Sequence, residues 1–159
     1  MLKLEEYFLP TMTLRGRRVV ATAAEMANVA EDAPAASLWR AVLALTSLNP
    51  RTSVRYGLLR ALPDGKVEYL ACVRASDVAS EDMELVTVEG GYFIGAEHVG
   101  DVATLGESVR WFYDEYLPTS GYVRRNEWHV EIFDPRFDPA DPESILTFGV
   151  FVERPNSPA

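Results

Sequence analysis

A glutamate set inside an apolar strand is the residue of this sequence best placed to do chemistry. Glu131 lies in Trp128-His129-Val130-Glu131-Ile132-Phe133. A period of two puts it on one strand face with His129 and Phe133, and puts Trp128, Val130 and Ile132 on the other. The more apolar face is expected to pack on helices, leaving Glu131 aimed into an open groove among aromatic rings. A carboxylate partly withdrawn from water is stabilised by a bound cation and otherwise drifts to a raised pKa. The position therefore suits recognition of a lipophilic cation, or proton transfer. The plainer alternative is a solvated strand glutamate, or one paired with an arginine such as Arg55 or Arg74. Trp39, Trp111, Tyr69, Tyr92 and Tyr113 carry the same two readings, pocket lining or core packing, and spacing alone does not separate them.

Other catalytic patterns are missing. Metal binding needs several thiolate or imidazole ligands close together, whereas Cys72, His98 and His129 are scattered singly. No Gly-x-Ser-x-Gly elbow, Walker loop or Gly-x-Gly-x-x-Gly occurs, so neither a metal nor a cofactor is expected. The chain has 159 residues, with 15 Lys and Arg against 24 Asp and Glu, a formal charge of -9 and one cysteine. A chain this long buries enough surface to fold without a staple, and one cysteine forms no intrachain disulfide. Binding to nucleic acid is not expected, because neutralising phosphates needs clustered cations. The clusters Arg15-Gly16-Arg17-Arg18 and Arg124-Arg125 read as solvated strand or loop surface. No apolar run approaches the ~20 residues of a membrane span. The start Met1-Leu2-Lys3-Leu4-Glu5-Glu6 is acidic where a secretion signal is basic. A cytoplasmic location is the expectation.

The elements that must position Glu131 follow from periodicity. A first helix follows Asp32-Ala33-Pro34, with Asp32 as capping acid, carries Leu38, Val42 and Leu45, and stops before Asn49-Pro50. A second begins at Asp101, places Val102, Leu105, Val109, Phe112 and Tyr116 on one stripe, and is ended by Pro118. Strands are expected at about 13–24, at 52–62 and 67–73 around the turn Pro63-Asp64-Gly65, at about 84–99 with a bulge or turn at Gly90-Gly91, at 128–133 and at 145–152. The order strand, helix, strand, strand occurs twice. We read an α+β domain over residues 1–159: duplicated βαββ units, about 5–78 and 83–154, with a tail at 155–159. Their antiparallel sheet has helices on one face, its other face partly uncovered, and a ligand cleft between the halves.

The motifs Tyr56-Gly57, Val67-Glu68-Tyr69-Leu70-Ala71-Cys72-Val73, Gly91-Tyr92-Phe93, His98-Val99-Gly100, Leu117-Pro118-Thr119-Ser120-Gly121-Tyr122 and Val130-Glu131-Ile132-Phe133-Asp134, in this order, resemble the GyrI-like small-molecule-binding domain, also called the AraC-type effector-binding domain. The resemblance implies a pseudo-twofold sheet whose cleft binds lipophilic, often cationic aromatic compounds. Glu131 matches the family's strand carboxylate. Tyr56 and Tyr69 match its cleft aromatics, with Trp39, Tyr92 and Trp111 as further candidates. Phe133 stands where the family commonly has tyrosine, and Ala71-Cys72 replaces a usual glycine. A stand-alone member is expected, without the DNA-binding domain that many relatives carry. A binding module for hydrophobic, aromatic or cationic small molecules is the leading expectation. Stand-alone relatives imply two others: a hydrolase opening cyclopropane rings of DNA-alkylating natural products, with Glu131 activating water, or a module that binds a protein partner as gyrase inhibitors do.

Overall fold

The computed structural model describes residues 2–28, 30, 32–49, 51–78 and 81–153. Pro50, residue 154 and the tail at 155–159 lie outside them. Alternating and β-branched stretches form eight strands: β1 (Lys3–Leu9), β2 (Met12–Thr22), β3 (Arg55–Ala61), β4 (Lys66–Arg74), β5 (Glu84–Val88), β6 (Gly91–Val99), β7 (Val123–Phe133) and β8 (Ile145–Glu153). They join in one antiparallel sheet of order β1-β6-β8-β7-β3-β4-β2-β5. The α+β class is as expected, and β2-helix-β3-β4 and β6-helix-β7-β8 take equivalent places on either side of the β7–β3 pair.

The connections force this sheet to curl. β1 and β2 stand six places apart in the sheet yet are linked only by Pro10 and Thr11. At about 4.8 Å per strand a flat sheet would separate them by roughly 29 Å, far beyond what two residues span. β5 and β6 are joined by Glu89 and Gly90 across the same gap. The two linkers cross where the Gly90 N–H donates to Thr11 Oγ1 at 3.0 Å. A Cβ at Gly90 would lie 2.4 Å from the Thr11 nitrogen, so the crossing admits only glycine. The curl closes the helix-free face over Leu14, Leu58, Leu70, Phe93, Val130 and Phe151, with Tyr7, Tyr56, Trp128 and Ile132 packed on them.

The other face carries the helices. α1 (Ala23–Ala27) starts with a capping box between Thr22 and Glu25. α2 (Pro34–Ala44) lays Val42, Leu38 and Trp39 on Tyr69, Ala71 and Val73 of β4. α3 (Leu105–Trp111), a π-helical turn (Phe112–Tyr116) and α4 (Leu117–Ser120) form the second helical layer. Phe112 is buried there on Ile94, Phe148 and Val150, a burial worth about 2–3 kcal/mol.

Several expectations are corrected. The apolar face of β7 packs into the curled sheet rather than on the helices, so the helix-free face is closed. Glu131 shares its face with the helices, and its groove lies between them. The cap of α2 is Ala33, with no side-chain bond from Asp32. Pro118 sits in the first turn of α4 instead of ending the helix, which Gly121 stops at φ 81°. Residues 84–99 are two strands on opposite sides of the sheet, joined at Glu89-Gly90. β1 and α1 were not anticipated.

Candidate functional site

Strands β3, β4 and β7 supply the floor of a cleft of about 1110 Å³ whose walls are α2 and α3. Glu131 is there because β7 pairs with β3 in a register that sets it opposite Gly57, and Gly57 opposite Ala71 of β4. A Cβ at Gly57 would stand 2.5 Å from Tyr69 Oη and 2.6 Å from Glu131 Oε1. The glycine thus leaves the space in which those two groups meet. Tyr69, 3% exposed, donates from Oη to Glu131 Oε1 at 2.7 Å. The Trp39 indole N–H donates to the same Tyr69 oxygen at 2.8 Å. The result is a relay from helix to strand to strand: Trp39, Tyr69, Glu131.

No ion pair among the described residues involves Glu131, and Arg74 pairs with Asp77 instead. Burial raises the Glu131 carboxyl above its ordinary value, and the Tyr69 hydrogen bond only partly opposes this. The Tyr69 phenol is itself held well above 10 by burial, then by the charge of Glu131. Such a pair keeps its proton on the phenol and offers the carboxylate to whatever enters the cleft.

A second polar pair lies on the same face. His129, two residues before Glu131, meets the Tyr113 hydroxyl through Nδ1 at 2.6 Å. Burial, then the nearby Arg124, lowers its pKa to about 4, so it is neutral near pH 7. Burial pushes the Tyr113 phenol up to about 12. Tyr113 belongs to the π-helical turn, a helix irregularity that recurs at functional sites.

The sequence-predicted residues divide sharply. Glu131, Tyr69, Trp39 and Phe133 line the cleft together. Tyr56 does not. It is one residue out of phase with Gly57, so alternation sends it to the helix-free core. Tyr92, 40% exposed on β6, packs edge-on against Phe8. Trp111 stacks on Tyr116, away from the cleft. Tyr113, which spacing alone leaves between pocket and core, lines the cleft, as do His129 and Arg55, which the sequence patterns do not mark as site residues. For Tyr113 a signal existed, since it continues the helical face of Leu105 and Val109 at a spacing of four. The other histidine, His98, is buried at 4% exposure and bonded to Ser108 Oγ and the Asp101 carbonyl. Among the described residues no three metal-ligating side chains gather, and no helix is long and apolar enough to cross a membrane.

Residues 7–147 match a family model, Cass2, whose description is integron-associated effector binding protein. Several solved structures share the fold. One, of SAV2435 bound to tetraphenylphosphonium, has a TM-score of 0.67 at 17% identity over 96% of this chain and 94% of that one. An integron cassette protein from the mobile metagenome of Vibrio cholerae gives 0.65 at 16% identity, covering 94% and 95% of the two chains. A hydrolase from Listeria innocua gives 0.58 at 14% identity, over 95% and 92%. Comparison with curated protein sequences gives no match.

Proposed function

The chain belongs to the family of integron-associated effector binding proteins and has a GyrI-like fold, and on that premise we propose that its cleft binds a hydrophobic aromatic small molecule. Glu131 accepts from a cationic or N–H group of that ligand, while Trp39, Tyr69 and Phe133 supply contact surface. The first half of the chain, about 5–78, brings Trp39 and Tyr69. The second, about 83–154, brings Glu131, Phe133, Tyr113 and His129.

The observation that carries this reading is a carboxylate at the floor of a large cleft with a neutral phenol as its hydrogen-bond partner and, among the described residues, no ion pair. A cationic ligand would provide the missing charge, and the aromatic walls would hold it by contact and cation-π attraction. The tetraphenylphosphonium bound by SAV2435 supports that ligand class. Tryptophan fluorescence titrated with tetraphenylphosphonium reads it directly, because Trp39 is in the cleft wall. Glu131→Gln is expected to weaken binding about tenfold or more, the equivalent of at least about 1.4 kcal/mol. Unchanged affinity would remove Glu131 as the cation receptor.

A hydrolase reading is supported by the same raised carboxyl, which is suited to take a proton from water attacking a cyclopropane carbon. Mass spectrometry of a cyclopropane-bearing alkylator incubated with the protein tests it. Product forming no faster than in buffer would leave binding alone.

A further inference from the structure

We infer that the cleft also holds an anion-binding position at Arg55, which takes the acidic group of an aromatic carboxylate. This rests on the proposal that the cleft is a small-molecule site, and adds to it the charge at the ligand's other end.

Arg55 is 6% exposed and lines the cleft. Its Nε is buried with no hydrogen-bond partner, the one such side-chain atom among the described residues. Among the described residues no carboxylate or carbonyl pairs with its guanidinium. The group lies instead against two rings that pack edge-on on each other, 5.3 Å from the Trp39 centroid and 5.4 Å from that of Phe133. Those rings cover part of it. They supply no acceptor for its in-plane N–H donors, which are what a guanidinium uses to grip a carboxylate. A cation kept only for packing would not need five donors held in one plane.

The register places this cation usefully. Arg55 is opposite Phe133 on β7, two pairs along from Gly57 and Glu131. Arg55 and Glu131 are thus diagonal neighbours on one sheet face, about 7–8 Å apart at the backbone. They do not pair with each other.

Charge distribution supports the same conclusion. The whole chain has more acids than bases, but the cleft reverses this, with Arg40, Arg55 and Arg124 against Glu127 and Glu131. Arg60 touches the rim, but its guanidinium turns to Glu68 and Trp128 on the other sheet face. Among the described residues Arg40 reaches only Ser37, and Arg124 the Trp128 carbonyl and the face of Tyr113. In a protein of charge -9 this local excess draws an anion to the cleft mouth, with Arg55 at its floor.

Isothermal titration with naphthalene-2-acetate and its neutral amide, naphthalene-2-acetamide, isolates the acidic group. The wild-type protein is expected to bind the acetate at least tenfold more tightly. Arg55→Gln should abolish the preference while moving the amide less than twofold, and Arg55→Lys should retain part of it. Equal wild-type affinities, or an Arg55→Gln loss shared by both compounds, would overturn the inference and leave the cleft reading in place. Binding of neither compound would remove the cleft reading with it. The wild-type comparison stands whether or not the glutamine variant folds.

Discussion

Glu68 and Glu131 are both strand glutamates withdrawn from water on opposite faces of the same sheet, and they differ in what meets them. Glu68, 1% exposed on β4, is bonded by Arg18 of β2 and Arg60 of β3. Arg60 is its direct cross-strand neighbour and also covers Trp128 at 4.6 Å. Arg18 continues to Glu84 on the sheet edge. Every charge in that group has an opposite beside it. Glu131 has a phenol and a cleft. Depth of burial therefore does not distinguish a functional carboxylate from a structural one, since Glu68 is the deeper of the two. The distinguishing property is the missing counter-charge, with space beside the carboxylate for something to supply it.

The largest test of this contrast is Glu68→Gln. Removing one partner of a buried pair costs about 3–5 kcal/mol when the orphaned charge stays buried. Here the orphans are Arg18 and Arg60, with side chains 41% and 39% exposed, which can turn to water. We expect a loss of about 2–3 kcal/mol in urea unfolding, with tetraphenylphosphonium affinity unchanged within twofold. A stable Glu68→Gln protein that had lost binding would reverse the assigned roles.

Alternation singled out Glu131 but passed over Glu68, although Val67-Glu68-Tyr69 has the same form as Val130-Glu131-Ile132. The reason is physical. Glu68 is buried because the sheet curls, the curl follows from strand order, and strand order depends on β1. Lys3-Leu4-Glu5-Glu6 reads locally as a polar start, and only its pairing with β6 makes it a strand. The helix stripes and both hairpins were legible because each is set by local periodicity. Tyr56 and Gly57 show the limit within the site. Their motif was recognisable, yet the residue that matters there is the glycine that makes room for Tyr69 and Glu131. Arg55 appeared in the sequence only as a possible partner of Glu131, and its unpaired state depends on three-dimensional neighbours.

An intermediate effect comes from pH, where His129 and Glu131 act in opposite directions. His129 is depressed from about 6.5 to about 4, so the unfolded chain binds the proton first. Its contribution is fully present above pH 6.5 and is lost as the pH falls to about 4, amounting to about 2 kcal/mol after allowance for partial exposure. Glu131 is raised, so the folded chain binds its proton first. Stability therefore rises as the pH falls through its folded value toward about 4.5, and partly masks the histidine. Unfolding curves between pH 7 and 4 should show a shallow acid loss in the wild type. Glu131→Gln should steepen it and His129→Asn should flatten it. Parallel curves for all three would mean that neither group is withdrawn from water as described.

The smallest expected effect is the most local, Tyr69→Phe. Around Glu68 the bonds are between charges, whereas the bond from Tyr69 to Glu131 joins a neutral donor to a carboxylate that opens on the cleft. Removing the hydroxyl takes a partner from both Glu131 Oε1 and the Trp39 indole N–H, but water entering from the cleft can replace part of each. The net cost should be about 1 kcal/mol of stability. The carboxyl, deprived of the one bond that lowers its pKa, should rise further. Carbon-13 NMR of labelled glutamate in Tyr69→Phe would read that rise against the unchanged signal of Glu68, whose arginine partners the substitution does not touch. A Glu131 signal that did not move would place the phenol as packing alone, and the relay would then end at Trp39 and Tyr69.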